Sequence, residues 1–251
     1  MNIKWDSEEY TENFDFVHKY GEDVLSLIEA PRGSMVVDLG CGNGALSQKL
    51  LEKGYRVLGL DASEEMVNTA RNLHPDITFQ VADATTFRLD EKADVIFSNA
   101  VFHWIDGDKQ EQLIENISEN LVSGGSLVCE FGGFGCAETV HRTLEKHFIK
   151  RGFIYARSFY FPTIGEYAPL LEKHHLLVES ATLFERPTLQ KTKNGLKDWI
   201  NMFVKIPFEG MDEAMKNEII NATDCDLKNT LYTPAGCFVD YVRIRIKAKK
   251  K

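Results

Sequence analysis

A buried strand followed at once by a glycine-rich turn is the feature that most constrains this fold. Residues 36–45 read VVDLGCGNGA, a short apolar run with Asp38 and then Gly40, Gly42 and Gly44 at every second position. A β-branched run is typical of a strand covered on both faces, and glycines directly after it let the backbone approach a ligand where a Cβ would collide. The segment predicts a strand that ends in a cofactor cradle.

The glycine spacing bears on which cofactor this cradle would hold. A dinucleotide fingerprint has its third glycine three residues after the second, whereas Gly44 follows Gly42 by only two. Asp38 would place a carboxylate beside the ligand, which disfavours a pyrophosphate and favours a cationic amino group. Asp61 ends the next apolar run, 21 residues beyond Gly40, where a ribose-binding carboxylate is expected. The pattern therefore predicts a ligand with a positive charge and a ribose.

Strand and helix patterns alternate from Met35 onward. Strands are predicted at 35–39, from Tyr55, and at 77–81, 94–98 and 126–131, with helices from Ala45, at 64–73 after a Ser63 N-cap, and through Leu113, Ile114, Ile117 and Leu121 up to Gly124. Such alternation predicts an α/β fold with a doubly wound, mostly parallel sheet. Ligands bind outside the carboxyl ends of such strands, where Asp38, Asp61, Asp83 and Asn99 lie.

The C-terminal half departs from this alternation. Helices are predicted near 138–151 and 164–174 and a strand near 177–184, followed by two amphipathic helices within residues 191–234 and an alternating strand at 238–247. We interpret 191–234 as a helical lid inserted into a domain formed by 1–190 and 235–251. The last strand should be an antiparallel closing strand, and residues 10–28 predict two short helical pieces.

The residues at the strand ends resemble the class I S-adenosylmethionine-dependent methyltransferases. Asp38 to Gly44 match the D-x-G-x-G-x-G motif of that family, and Asp61-Ala62 with Met66, residues 81–84 and residues 97–100 resemble its next three motifs in order. The resemblance implies a Rossmann-like seven-stranded sheet and S-adenosyl-L-methionine as cofactor, with Asp61 on the ribose hydroxyls, Asp83 on the adenine amino group, and Gly40 and Gly42 along the methionine moiety. The predicted cofactor contacts are Tyr10, Asp38, Gly40, Cys41, Gly42, Asn43, Asp61, Ala62, Met66, Asp83, Ala84, Asn99 and Ala100.

The segment after the fourth motif is the predicted substrate side. His103 and Trp104 follow the end of a strand, where a methyl acceptor would approach. His103 is the candidate catalytic residue, as a base for a hydroxyl or amine acceptor, whereas a carboxylate acceptor is already ionised and needs only orientation. The alternative is that His103 only hydrogen-bonds neighbouring backbone.

Within the family, the layout resembles the trans-aconitate methyltransferase-like branch, also grouped with the type 11 small-molecule enzymes. Trp5 with Tyr10, the F-x-N-A-x-x-x-W pattern of 97–104, the lid and the basic closing strand carry this resemblance. Asn43 stands where that branch commonly has proline and His103 where it has glutamine. The lid contains no arginine, which argues against trans-aconitate itself because polycarboxylates are usually bound by guanidinium groups.

The sequence thus predicts methyl transfer to a small-molecule acceptor, with an oxygen such as a carboxylate or hydroxyl favoured. A methyltransferase-like binding protein without turnover and an NAD-dependent oxidoreductase remain alternatives. The net charge of −9 over 251 residues opposes nucleic-acid binding. No apolar run approaches the ~20 residues that cross a bilayer, and five cysteines without a C-x-x-C pair or clustered histidines predict reduced thiols and no metal. We expect a cytoplasmic protein, with a monomer favoured.

Overall fold

The structure is a computed structural model that describes residues 23–251. The predicted contact at Tyr10 and the predicted helical residues before 23 lie outside this range. Its strands are β1 (Met35–Leu39), β2 (Arg56–Asp61), β3 (Thr78–Val81), β4 (Ala93–Asn99), β5 (Leu121–Gly132), β6 (Leu176–Glu185), β7 (Thr188–Gln190), β8 (Tyr232–Thr233), β9 (Gly236–Val239) and β10 (Val242–Lys250). Its α-helices are α1 (Ala45–Glu52), α2 (Glu64–Leu73), α3 (Gln110–Asn120), α4 (Glu138–Lys150), α5 (Ile164–Lys173), α6 (Leu196–Phe203), α7 (Glu213–Asp226) and α8 (Lys228–Leu231).

A seven-stranded sheet in the order β3-β2-β1-β4-β5-β10-β6 organises the molecule. The strands from β1 to β5 pair in parallel, and β10 runs antiparallel between β5 and β6. Adjacent residues of β1 enter different cores: Val36 packs with Leu46 and Leu50 of α1, whereas Val37 packs with Leu113 of α3. Both faces of the sheet are therefore covered, which confirms the predicted doubly wound fold and its antiparallel strand.

The strand order positions the candidate site. β1 is flanked by β2 on one side and β4 on the other, so the chain winds in opposite directions from this point. Ligands of open α/β sheets bind in the crevice that such a switch leaves at the carboxyl ends of the strands. The loops after Leu39 and Asn99 bound that crevice.

Local sequence signals explain the two helices that follow β1 and β2. Gly44 occupies the N-cap of α1 with φ 83°, a left-handed conformation that glycine adopts without a steric penalty. Ser63 caps α2 as predicted, accepting a hydrogen bond from the Met66 backbone N–H at 3.3 Å. Glu64 and Glu65 then lie in the first turn, where negative charge stabilises the helix dipole.

The predicted end of α3 is wrong. We expected a helix through Leu121 that stopped at Gly124, but α3 ends at Asn120 and β5 begins at Leu121. The side chain of Asn120 accounts for the early stop, because its Oδ1 accepts from the Leu89 backbone N–H at 3.0 Å and its Nδ2 donates to the Asn116 carbonyl at 2.8 Å. The glycines instead lie in an irregular part of β5, where the register with β4 shifts.

The predicted strand at 238–247 is in fact two strands. Residues 236–239 form β9, which lies between β7 and β8 in a separate three-stranded sheet, and β10 starts only at Val242. The break falls at Asp240, whose Oδ2 accepts from the Thr139 backbone N–H at 2.9 Å and whose carbonyl accepts from Ala137 N. These bonds anchor the chain to the start of α4 instead of continuing the ladder.

The helices of residues 191–234 pack beside the main sheet. α6 and α7 form one apolar core with α4, built around Trp199, Ile219 and Phe148. Residues 236–239 pair with residues 188–190 on one side and with β8 on the other, so strands before, within and after this region form one small sheet. Over the described range, 23–251, no helix is long and apolar enough to cross a membrane.

Candidate active site

A cleft of about 880 Å³, counting the space at its mouth, opens at the carboxyl ends of β1, β2 and β4. We call it the glycine-loop cleft. Its walls are Leu39, Gly40, Gly42, Asp61, Ala62, Met66, Ala82, Asp83, Ala84, Thr85, Asn99, Ala100, Val101, Trp104, Ile105, Asp106 and Lys109. All four predicted motifs thus meet in one cavity.

Two glycines of this cleft serve different purposes. A Cβ on Gly40, where φ is +81°, would lie 2.2 Å from the Val101 side chain, so this position needs glycine for packing. Gly42 has φ +55°, but a Cβ there would meet no protein atom within 4 Å. Because Gly42 lines the cleft, the space beside it is available to a ligand.

Asp61 ties the loop to the end of β2. Its Oδ2 accepts from the Gly42 backbone N–H and its Oδ1 from the Ser63 backbone N–H, both at 2.9 Å. Burial raises the pKa of Asp61, and these backbone donors offset only part of the rise. A positive charge bound nearby would stabilise the ionised carboxylate, so the cleft favours a cationic ligand.

Asp83 presents a second carboxylate to the glycine-loop cleft. Its Oδ1 accepts from both the backbone N–H and the hydroxyl of Thr85, at 2.8 and 2.6 Å. Partial burial raises the pKa of Asp83, but the two Thr85 bonds outweigh it and the net shift is downward. Asp83 is therefore ionised, with Oδ2 left to accept a ligand donor.

Three predicted contacts do not line the cleft. Asp38 is buried beneath the loop and accepts a hydrogen bond from the Ser47 hydroxyl at 2.6 Å. Burial is the main cause that raises the pKa of Asp38 to about 7. Cys41 packs among the apolar residues of α2 and β3, and the Asn43 side chain accepts from the Ala45 backbone N–H. These three side chains are buried behind the loop and do not line the cleft.

A second cleft, of about 460 Å³, adjoins the first. We call it the aromatic cleft. Its walls are Ala100, His103, Trp104, Cys136, Ala137, Phe159, Phe161, Trp199, Phe203, Tyr241 and Arg243. Ala100 and Trp104 line both clefts, and Ala100 has φ 63°, which is uncommon for a residue with a Cβ. The main chain is thus held in a strained conformation at the junction of the two cavities.

His103 lies in a short 3₁₀ turn on the wall of the aromatic cleft. Its Nδ1 accepts a hydrogen bond from the Gly132 backbone N–H at 3.2 Å. Burial, followed by the positive charge of Arg243, holds the pKa of His103 well below its usual value. A neutral imidazole whose Nδ1 is an acceptor carries its proton on Nε2, so His103 presents a hydrogen-bond donor to the cleft.

Arg243 is the charged residue of the aromatic cleft, and the sequence did not reveal it as a site residue. It lies on β10, only 7% exposed, and its guanidinium carbon lies 4.7 Å from the centroid of the Tyr241 ring. Its Nε is buried without a hydrogen-bond partner, and no carboxylate of residues 23–251 pairs with it. Strict alternation along 238–247 predicts a solvent-facing polar side, and no sequence signal marks this arginine as buried.

Comparison with known proteins identifies the family. Residues 36–125 match the family model described as a methyltransferase domain. An uncharacterized methyltransferase of Schizosaccharomyces pombe is 28% identical over 98% of both chains. An uncharacterized methyltransferase of Geobacillus sp. is 32% identical over 58% of this chain and 69% of its own. The chain belongs to the class I S-adenosylmethionine-dependent methyltransferases.

Relatives named for a substrate match this methyltransferase over a shorter range. The trans-aconitate 2-methyltransferase of Rhizobium rhizogenes is 31% identical over 51% of this chain, and the match spans about half of that enzyme, 50%. Among solved structures, a putative methyltransferase of Bacillus halodurans has a TM-score of 0.63 at 14% identity, covering 91% of this chain and 97% of its own. The structural likeness shows the fold.

Membership in the family gives this methyltransferase S-adenosyl-L-methionine as its cofactor and removes the oxidoreductase alternative. The glycine-loop cleft fits that molecule. The open space beside Gly42 admits a ligand against the backbone, and the buried Asp61 favours the positive charge that a sulfonium and an ammonium group carry. Within the described range no group of three or more His, Cys, Asp or Glu residues could hold a metal ion.

Proposed function

We propose that this methyltransferase transfers the methyl group to an oxygen of a small molecule bound in the aromatic cleft. One observation carries the proposal: Ala100 and Trp104 line both the glycine-loop cleft and the aromatic cleft. A molecule in the aromatic cleft therefore meets a molecule in the glycine-loop cleft at this junction. Holding two reactants in contact and in line is the main requirement for a transfer of this kind.

The predicted cofactor contacts divide into two groups in this proposal. Those that line the glycine-loop cleft would hold S-adenosyl-L-methionine: Gly40, Gly42, Asp61, Ala62, Met66, Asp83, Ala84, Asn99 and Ala100. Asp61 would accept from the ribose hydroxyls and Asp83 Oδ2 from the adenine amino group. Asp38, Cys41 and Asn43 would keep the loop in shape without contacting the cofactor.

An oxygen that is already ionised suits this site best. When bound, S-adenosyl-L-methionine supplies a methyl group on a sulfonium, and transfer to a carboxylate oxygen forms the O–CH₃ bond, breaks the S–CH₃ bond and leaves the electron pair on sulfur without releasing a proton. His103, with its proton on Nε2, would donate to the acceptor and orient it. This geometry favours orientation by His103 over the general-base role that the sequence also allows.

The walls of the aromatic cleft support a small-molecule acceptor. Trp199 and Phe203 of α6 line this cleft, which supports the proposal that 191–234 is a lid over a small molecule.

The net charge of −9 supports the exclusion of nucleic acid. Four of the five free cysteines are buried, which supports a cytoplasmic, reducing location.

The test has a binding part and a turnover part. Thermal melts with S-adenosylhomocysteine, S-adenosylmethionine and NADH should show stabilisation by the two adenosyl ligands alone, by several degrees at about 100 times the dissociation constant. Formation of S-adenosylhomocysteine is then measured over a panel of carboxylates, phenols and amines. Turnover confined to amines would contradict the oxygen acceptor, and binding without turnover on any acceptor would indicate a protein that only binds the cofactor.

A further inference from the structure

We propose that the acceptor is an apolar monocarboxylate whose carboxylate is bound by Arg243. This inference rests on the proposed function, because it identifies what occupies the aromatic cleft. The observation behind it is that Arg243 is only 7% exposed and lines the aromatic cleft, which adjoins the glycine-loop cleft. The position on β10 fixes the guanidinium against the wall of that cavity.

Arg243 lacks the partners that a buried cation requires. Buried charges in proteins are nearly always paired, since an unpaired one loses its hydration without compensation. Here Nε has no acceptor, and none of the residues from 23 to 251 supplies a carboxylate or carbonyl to the guanidinium. The face of the Tyr241 ring, 4.7 Å from the guanidinium carbon, is its one favourable contact of an electrostatic kind in this range.

None of the neighbouring titratable groups in the described range forms an ion pair with Arg243. His103 is neutral, because burial and Arg243 itself hold its pKa well below the usual value. The Cys136 thiol is also neutral, since burial raises its pKa. Asp240 lies three residues before Arg243; its Oδ2 accepts from the Thr139 backbone N–H, its Oδ1 is buried without a hydrogen-bond partner, and within residues 23–251 no ion pair joins its carboxylate to Arg243. An anion supplied by a ligand would complete the site, and a carboxylate matches the planar fork of a guanidinium.

The rest of the cleft specifies an apolar body with a single charge. Arg243 is the only permanently charged side chain among the residues that line it in the described structure. The Phe159 and Phe161 rings stack at 5.2 Å with an interplanar angle of 6°, and the Trp104 ring lies 4.8 Å from Phe159. A second or third carboxylate of the ligand would lose its hydration beside these rings and would find no cation to replace it. A polycarboxylate therefore fits this cleft poorly.

The experiment compares carboxylates and variants with S-adenosylhomocysteine already bound. Calorimetric titrations use phenylacetate, indole-3-acetate and octanoate as monocarboxylate probes, phenylacetamide as the neutral counterpart, and trans-aconitate as the tricarboxylate. We expect at least one monocarboxylate to bind, and to bind at least about 10-fold more tightly than either phenylacetamide or trans-aconitate. Binding of none of the three monocarboxylates, or tighter binding of trans-aconitate, would overturn the proposal.

Variants then assign the effect to one side chain. Arg243→Met should weaken the best monocarboxylate at least about 10-fold, and Arg243→Lys should weaken it less, because lysine keeps the charge but loses the planar fork. S-Adenosylhomocysteine affinity should stay within about twofold in both variants. Arg142→Met is the matched control, since it removes an arginine that is 75% exposed on α4 and should leave carboxylate binding unchanged. Equal carboxylate affinity in Arg243→Met and wild type would disprove the role of Arg243.

Different results would contradict the proposed function and the carboxylate subsite. If wild type does not bind S-adenosylhomocysteine, the proposed function itself is wrong. If it binds that ligand and methylates a neutral alcohol or phenol while no monocarboxylate competes, small-molecule methylation stands and the carboxylate subsite is wrong.

Discussion

The carboxylate of Asp61 holds the glycine loop through the backbone N–H of Gly42, with Oδ2 and N 2.9 Å apart. Its second oxygen accepts from Ser63 N at the same distance, so one side chain joins the loop after β1 to the start of α2. Each oxygen keeps a lone pair for a ligand donor. The same carboxylate can therefore shape the cleft and bind the cofactor.

Replacement of Asp61 by alanine or asparagine should weaken S-adenosylhomocysteine binding by about 10- to 100-fold, since hydrogen bonds to a charged group contribute about 1.5–3 kcal/mol. Asparagine should restore no more S-adenosylhomocysteine affinity than alanine, because its NH₂ group is a donor and would face a backbone N–H that also donates. Calorimetric titration measures the change. Asp94→Asn is the control, because Asp94 also accepts from a backbone N–H, that of Met35 at 2.8 Å, but at the opposite end of the sheet. Equal losses in the control would mean that Asp61 acts only through stability.

Alanine at the two loop glycines should separate folding from binding. Gly40→Ala places a Cβ 2.2 Å from Val101 and should lower the free energy of unfolding by about 2 kcal/mol or more. Gly42→Ala meets no protein atom, so its stability should fall by only about 1 kcal/mol, while its methyl group fills ligand space and weakens S-adenosylhomocysteine at least about 10-fold. Urea melts and titrations report the two effects. Normal cofactor affinity in Gly42→Ala would contradict the placement of the ligand.

His103 should orient the acceptor without titrating. Since the pKa of His103 lies well below its usual value, kcat/KM should be flat between about pH 6 and about pH 8. His103→Gln retains an N–H donor and should keep activity within about tenfold, whereas His103→Leu, which has no donor, should lose more. A general base predicts comparable losses in both variants, because neither glutamine nor leucine can take a proton from the acceptor. Initial rates of the two variants distinguish the two roles.

Asp38 should make stability depend on pH. Burial raises the pKa of this carboxyl from 3.8 to about 7, so the folded state holds its proton more tightly than the unfolded state. The stabilisation that this provides is complete below pH 3.8 and is lost as the pH rises through about 7. Asp38→Asn, which stays neutral, should therefore raise Tm relative to wild type more at about pH 8 than at about pH 5. An equal difference at the two pH values would mean that the ionisation of Asp38 is not linked to folding.

Removing the unpaired cation should stabilise the protein without ligand. Arg243→Met eliminates a buried, unpaired charge and keeps a chain of similar length. Even the replacement of a complete buried ion pair by apolar residues is often neutral or stabilising by about 1–4 kcal/mol. Loss of the Tyr241 ring contact offsets up to about 2 kcal/mol of this. The Tm of Arg243→Met should thus equal or exceed that of wild type. A fall of several degrees, with Arg142→Met unchanged, would show that the folded chain already compensates the charge.

Much of the fold could be predicted because local and tertiary signals agree in the N-terminal half. The limits of α2 at Glu64 and Leu73 follow from its N-cap serine and its apolar stripe, and β1 is a short apolar run closed by glycine. The motif residues at the strand ends meet in one cavity because parallel strands bring their carboxyl ends to the same edge of the sheet.

Other features depend on neighbours that one sequence does not show. Arg243 alternates with apolar residues as a solvent-facing side chain would, yet β10 lies between β5 and β6 and both its faces are packed against other segments. Asp240 ends β9 because it bonds to α4, which is distant in sequence. The motif places Asp38, Cys41 and Asn43 among the glycines. Whether such a residue contacts the ligand or supports the loop depends on the direction of its side chain, which the sequence does not show.

The central place of β10 also governs the order of assembly. This strand comes after all the others in the described chain, yet it lies inside the sheet, with β5 on one side and β6 on the other. A nascent chain that has released β1 to β9 from the ribosome has no seventh strand, and both β5 and β6 expose an unpaired edge. Only when residues 242–250 emerge does the sheet close and the guanidinium of Arg243 reach its cavity. The same folding step therefore completes the sheet and places Arg243 in the aromatic cleft.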